Sequence, residues 1–170
     1  MLPLVIFISL LSFFGFQSDG NWKTYSSSEG HYTIQFPGNP EESVQNSKTD
    51  AGDSLTVHIA SYSVSDNEVF MSSWTDMHSI YPKDKTIQQM LEDSRDGTTS
   101  SLNATNVTTL KTNLEENPYI EFTFGTDDFV GKDRIYLINK IQYSIITIFS
   151  KATGIKPDAD KFIQSFKRIP

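Results

Sequence analysis

Three histidines, His31, His58 and His78, supply all the imidazole that this 170-residue chain can bring to acid–base catalysis or metal binding. A zinc site or a metalloprotease helix sets a second histidine or a carboxylate three or four residues along the same helical face. None of the three has that company, so each reads as an isolated strand or surface residue. His58 with Asp50 or Asp53 and one of many serines has the composition of a hydrolase triad, yet no serine stands in a Gly-x-Ser-x-Gly elbow. Asp158-Ala-Asp160 resembles the start of a calcium loop, but the glycine required at its sixth position is Ile163 and the bidentate glutamate at its twelfth is Ile169. Those aspartates are expected to cap a helix and favour its positive end. The acidic pairs Glu115-Glu116 and Asp127-Asp128 flank one candidate strand, about 20 Å apart at ~3.3 Å per residue, too far to share an ion or to work as an acid and base pair. They read as solvated turns. Gly-Lys occurs only in Val130-Gly-Lys-Asp133, without the upstream glycine or the following Ser or Thr of a phosphate loop. The expectation is therefore no catalytic, metal-binding or cofactor-binding residue.

The elements that would carry these residues are short. Trp22 to Ser26 reads as a first strand, and Tyr32, Ile34 and Phe36 alternate with Thr33 and Gln35 in a second. Pro37-Gly-Asn-Pro40 ends it, because prolines withhold ladder donors. A polar strand at Ser43 to Lys48 and an alternating one at Leu55 to Val64 are expected to pair about Asp50-Ala-Gly-Asp53. Asp66 to Tyr81 fits neither the strand nor the helix period and reads as a loop holding at most a helical turn. Asp84 offers an N-cap for a helix of three to five turns with Ile87, Met90 and Leu91 on its stripe. Four strands follow: Asn106 to Thr112, Tyr119 to Phe124, Lys132 to Ile138 and Ile141 to Phe149. The last two join about Asn139-Lys140, since Asn tolerates a left-handed backbone. A closing helix begun near Pro157 and Asp158 carries Phe162, Ile163, Phe166 and Ile169 as a stripe that must dock on the sheet. The fold class expected is α+β, an antiparallel sheet flanked by helices.

Residues 1–18 carry no charge and hold an almost unbroken apolar run from Leu2 to Phe16, passing into Gln17, Ser18 and Gly20. The run is shorter than the ~20 residues that span a bilayer, and small residues follow where a signal peptidase could cut. Residues 1–18 therefore read as a signal peptide and 19–170 as a single α+β domain. An uncleaved anchor or a buried strand is the alternative, because the run lacks the Lys or Arg of an n-region. The formal charge of −7 falls wholly on the mature part. Such a domain repels phosphate backbones and anionic head groups, so nucleic acid and a basic-patch membrane contact are not expected. Without cysteine there is no disulfide, no thiol nucleophile and no lipoprotein anchor. A secreted or periplasmic protein with no stable membrane anchor after cleavage remains.

The segment Tyr32-Thr-Ile-Gln-Phe36-Pro37-Gly38-Asn39-Pro40, then a hairpin, a helix, a run of antiparallel strands and a closing helix with Phe162-Ile-Gln-Ser-Phe166-Lys, resembles small exported proteins with a PsbP-like domain. That group includes the bacterial envelope protein DcrB. The resemblance covers residues 22–168 and implies an α/β/α sandwich that serves, mostly without known catalytic activity, as an accessory subunit of envelope or thylakoid complexes. PsbP itself influences calcium and chloride retention at the photosynthetic water-oxidising site. No ligand pattern of that family maps onto this chain, so the resemblance transfers no functional residue and no cofactor.

The function expected is an exported, soluble, non-catalytic accessory module that docks on an envelope protein or takes a small ligand. Its candidate contact residues are Phe70, Trp74 and Tyr81, aromatic members of the aperiodic segment; the alternative is that they lid the core under a long loop. The competing function is an envelope hydrolase or metal-dependent enzyme whose site gathers distant residues. A deep polar pocket holding His58 or His78 beside carboxylates would favour the enzyme, and a shallow apolar patch would favour docking. Export makes the first prediction: mass spectrometry of the native protein should show an N-terminus between Gln17 and Trp22. Recovery of an intact Met1 from the membrane fraction would make the segment an anchor.

Overall fold

A computed structural model describes residues 22–48 and 53–170. The expected signal peptide and residues 50–52 of the turn expected at Asp50 to Asp53 lie outside the described residues. The elements run β1 (Lys23–Ser27), β2 (Tyr32–Phe36), β3 (Glu41–Lys48), β4 (Ser54–Ser65), β5 (Glu68–Asp76), α1 (Ile87–Ser101), β6 (Asn106–Asn113), β7 (Tyr119–Gly125), β8 (Phe129–Ile138), β9 (Ile141–Ser150), α2 (Asp158–Gln164) and β10 (Lys167–Arg168). Seven strands form one sheet in the order β3-β4-β5-β9-β8-β7-β6, and three form a second, β1-β2-β10, with antiparallel pairing throughout.

Period-two alternation divides the large sheet into two apolar faces. One carries Phe70, Tyr136, Tyr143, Ile145 and Phe149, which pack against Tyr32, Ile34 and Phe36 of the small sheet and Phe162 and Ile163 of α2. The other carries Val57, Ile59, Met71, Phe122, Phe124, Ile135 and Ile146 under Met90 and Leu91 of α1. A helix alone covers only one of the two faces. The helix-flanked sandwich expected from the sequence thus becomes a strand-rich α+β arrangement, in which a small sheet and a two-turn helix share the second cover.

Three local readings change. Glu68–Asp76 is the strand β5, seated between β4 and β9, and not a loop. Phe70, Met71, Ser72 and Ser73 are all buried because both faces of this strand are covered, so the alternation that marks a half-exposed strand is missing. The N-cap of α1 is Thr86, not Asp84: the Thr86 hydroxyl accepts from the Gln89 amide while the Gln89 side chain accepts from the Thr86 amide, a capping box. The closing helix stops at Gln164. There the Ser165 hydroxyl donates to the Phe162 carbonyl at 2.6 Å and accepts the Gln35 amide at 2.9 Å, after which Lys167 and Arg168 pair with Thr33 and Tyr32. Phe166 and Ile169 therefore lie beyond the helix. Phe166 sits half-buried among Tyr32, Tyr136 and Tyr143, at ring-centroid distances of 5.4, 4.8 and 5.3 Å. The hairpins β3-β4 and β8-β9 form as expected, the second through Asn139 and Lys140, both left-handed as a type I′ turn requires.

Because Phe162 is fully enclosed and packs on Phe36 and Phe70, Phe162→Ala should destabilise by about 3 to 5 kcal/mol in urea unfolding. Phe166→Ala, at a half-buried site, should cost clearly less. Equal costs would contradict the end of α2 at Gln164.

Candidate functional site

The large sheet ends at β3 and the small one at β1. Between these two strands lies a cleft of about 310 Å³ lined by Tyr25, Ser27, Glu29, Glu42, Val44, His58 and Trp74 among others. Strand register explains how residues so far apart in sequence meet. Val44 opposes His58, His58 opposes Trp74, Trp74 opposes Tyr143, Tyr143 opposes Tyr136 and Tyr136 opposes Tyr119. These six side chains form one transverse row across the face of the sheet that the small sheet covers. At the centre, Tyr143 is fully buried. At the β3 end the row emerges into the cleft, where the His58 and Trp74 rings stack at 4.0 Å and 8° and Val44 is 56% exposed.

The turn between β1 and β2 closes down on this row. A Cβ on Gly30 would fall 2.7 Å from Trp74 Cδ1, so only glycine allows the approach. The Gly30 carbonyl accepts the Tyr143 hydroxyl at 3.0 Å, and its amide donates to Ser27 Oγ at 3.0 Å. Across the mouth, the Tyr25 hydroxyl donates to Glu42 Oε1 at 2.6 Å and links the two sheets. Burial, with the Glu42 acceptor added, raises the Tyr25 phenol well above its ordinary range. Burial likewise pushes Tyr32, which shares a 2.9 Å hydrogen bond with Ser72, up to about 12. Both stay protonated donors at neutral pH. Glu29 Oε2 stands 4.0 Å from His58 Nδ1.

The cleft can thus present a planar ring stack, hydroxyl groups and two carboxylates. Among the described residues no Ser or Thr hydroxyl is hydrogen-bonded to His58, and no group of three His, Cys, Asp or Glu is placed to hold a metal ion. Of the sequence candidates, Trp74 alone reaches the cleft. Phe70 has no exposed surface and packs in the core against Trp22, Phe149 and Phe162. Tyr81 lies on the opposite face, packed on the α1 cluster with Lys140 Nζ 5.4 Å from its ring. The three do not make one surface, because Phe70 and Trp74 point to one side of β5 and Tyr81 follows on the other. His31 is exposed in the β1-β2 turn, and His78 is exposed with Nδ1 at 2.6 Å from Asp76. The His78 amide and ring hold the Asp76 carboxyl below its usual range. Glu115, Glu116, Asp127 and Asp128 occupy exposed turns, as expected. Tyr25, Glu29, Glu42 and Val44 were not legible as site residues. Val44, the lone large apolar residue in β3, was the available signal once paired with His58.

No known family pattern and no curated protein matches the chain. Among solved structures, it is similar to the solution structure of cyanobacterial PsbP (CyanoP) from Synechocystis sp. PCC 6803, with a TM-score of 0.56 and 11% identity over 93% of this chain and 98% of that one. The fold is PsbP-like. Among the described residues, no helix of this PsbP-like chain is long and apolar enough to cross a membrane.

Outside the cleft, the carboxyls of Glu121 and Asp133 are shifted in opposite directions. Burial opposes the charge on Glu121, but donors from Lys132 at 2.8 Å and Arg134 Nε at 2.6 Å outweigh it and hold the carboxyl below its ordinary range. Asp133 points to the α1 face of the PsbP-like sheet, is wholly buried, and receives the Ser144 hydroxyl at 3.1 Å on both oxygens. Burial pushes it up to about 7, which the Ser144 hydroxyl and the backbone amides of Ile145 and Arg134 only partly offset. Its folded pKa lies above the unfolded value near 3.9, so the native state keeps a proton that the unfolded chain releases, and stability should fall as pH rises from about 4 to about 7. Asp133→Asn keeps the shape without titrating. The difference in urea midpoint between the Asn variant and the parent should therefore widen in favour of the variant across that window; a constant difference would show that Asp133 does not carry the proton.

Proposed function

We propose that this chain is an exported, soluble accessory module that acts by binding a protein partner, with the cleft between β1 and β3 as its contact site. The observation that carries this reading is the emergence of the transverse row at Trp74, His58 and Val44, beside an open sheet edge and beneath two carboxylates. Aromatic side chains with one end packed and one end solvent-facing give contact area at small entropic cost. A PsbP-like fold and the charge-free leader at residues 1–18 support the accessory role and the exported address. The competing hydrolase draws on His58 with Glu29 in a serine-lined cleft. Against it stands the lack of a base-to-nucleophile hydrogen bond of the kind that activates a hydroxyl.

A photo-crosslinking residue in place of the exposed Val44 tests the reading without disturbing the core. In the native envelope, position 44 should crosslink to a discrete partner while Thr108, on the far edge strand β6, should not. Crosslinking confined to β6 would move the contact elsewhere, and turnover abolished by His58→Ala would make the protein an enzyme.

A further inference from the structure

We propose that the cleft receives the guanidinium of an arginine carried on an extended segment of the partner protein; this rests on the binding reading above. The molecule itself supplies the pattern. At the far end of the transverse row, Arg134 lies 4.8 Å from the Tyr119 ring centroid, donates through Nη1 to the Tyr136 hydroxyl at 3.1 Å, and converges through Nε and Nη2 on Oε2 of Glu121. Aromatic plane, hydroxyl and carboxylate together make an arginine site, and the arginine is there. At the near end, the cleft offers the same three parts: the His58–Trp74 stack, the Tyr25 hydroxyl, and the carboxylates of Glu29 and Glu42. It has no Lys or Arg in its lining.

Several carboxylates elsewhere in the protein hold a Lys or Arg partner. Glu68 pairs with Lys156, Asp93 with Lys85, and Glu121 with Lys132 and Arg134. Glu42 instead accepts only the Tyr25 hydroxyl on Oε1, and among the described residues no donor reaches its Oε2. Glu29, 77% exposed, has His58 Nδ1 at 4.0 Å and no Lys or Arg in an ion pair among the described residues. Two solvent-exposed carboxylates thus stand at the rim of the cleft, neither with a Lys or Arg partner among the described residues. An ammonium would satisfy the charge, but a guanidinium also uses the plane, since it stacks on aromatic rings and binds carboxylates through two parallel N–H groups. The volume, about 310 Å³, suits a side chain more than a large cofactor. A protein source follows from β3, which is the last strand of its sheet and lets an extended chain pair along it while an arginine turns into the cleft beside Val44.

The test is a titration of the ¹⁵N-labelled full chain with capped Val-Arg-Val, Val-Lys-Val and Val-citrulline-Val peptides, citrulline being the neutral isostere of arginine. The Arg peptide should saturably shift the Trp74 indole Nε1–H signal and leave that of Trp22 in place. The Lys and citrulline peptides should bind at least about tenfold more weakly. Glu29→Gln combined with Glu42→Gln should lose about tenfold in Arg-peptide affinity with little change in melting temperature, because Gln still accepts the Tyr25 hydroxyl. Equal binding of Arg and citrulline peptides, or no indole shift with millimolar Arg peptide, would overturn the proposal. If the Arg peptide fails while position 44 still crosslinks a partner, the binding reading stands and the arginine is wrong; failure of both removes both.

Discussion

The constraint on which the structure depends is that the seven-stranded sheet is apolar on both faces and must be covered twice. On one side α1 lies over Phe122, Ile135 and Ile146. On the other, the cover is a three-stranded sheet with α2. Three strands at ~4.8 Å spacing extend about 14 Å, whereas seven extend about 34 Å, so the cover is too narrow for the surface beneath it. Everything distinctive about this face follows from what happens to the aromatic row where the cover runs out.

The two ends of the row are finished differently. Under the middle, Tyr32, Tyr143 and Phe166 pack ring against ring and exclude water. Beyond the cover on the β7-β8 side, Glu121, Lys132, Arg134 and Asp160 close the surface as an alternating charge network, with Lys132 at 2.6 Å from Asp160 of α2. Charges taken partly out of water are tolerated there because every one has an opposite partner within hydrogen-bond distance. On the β3-β4 side no such network forms. Tyr25 reaches Glu42 and the Gly30 turn rests on Trp74, but among the described residues the exposed carboxylates of Glu29 and Glu42 have no Lys or Arg partner. One end is complete within the chain, and the other invites completion from outside it.

The sequence shows most of the elements and little of the site, for a physical reason. Strands with one solvent-facing side, such as Tyr32–Phe36, announce themselves by alternation, and Asn139-Lys140 announces its hairpin by turn chemistry. β5 hides because it is covered on both faces: Ser72 and Ser73 are as buried as Phe70 and Met71. The end of α2 hides because Phe166 and Ile169 continue a helical spacing that Ser165 and the pairing with β2 override. The cleft is a product of register, which spacing along the chain does not encode. His58, Trp74 and Val44 become neighbours only once β3, β4 and β5 are aligned, and Glu29 joins them only once the small sheet docks.

Similarity at 11% identity carries the architecture alone. A fold hosts many functions, and function resides in the site built on it. Here the fold's part is to leave two sheet edges facing each other, a position that any sequence with a narrow cover over a wide sheet would share. The sequence's part is to place a stacked imidazole and indole on the floor and acids at the rim. Held flat against Trp74, the His58 ring turns one face to the indole and carries its two nitrogens at the edge, Nδ1 standing 4.0 Å from Glu29, so the geometry of one stack sets both the plane and the polar edge that the cleft presents.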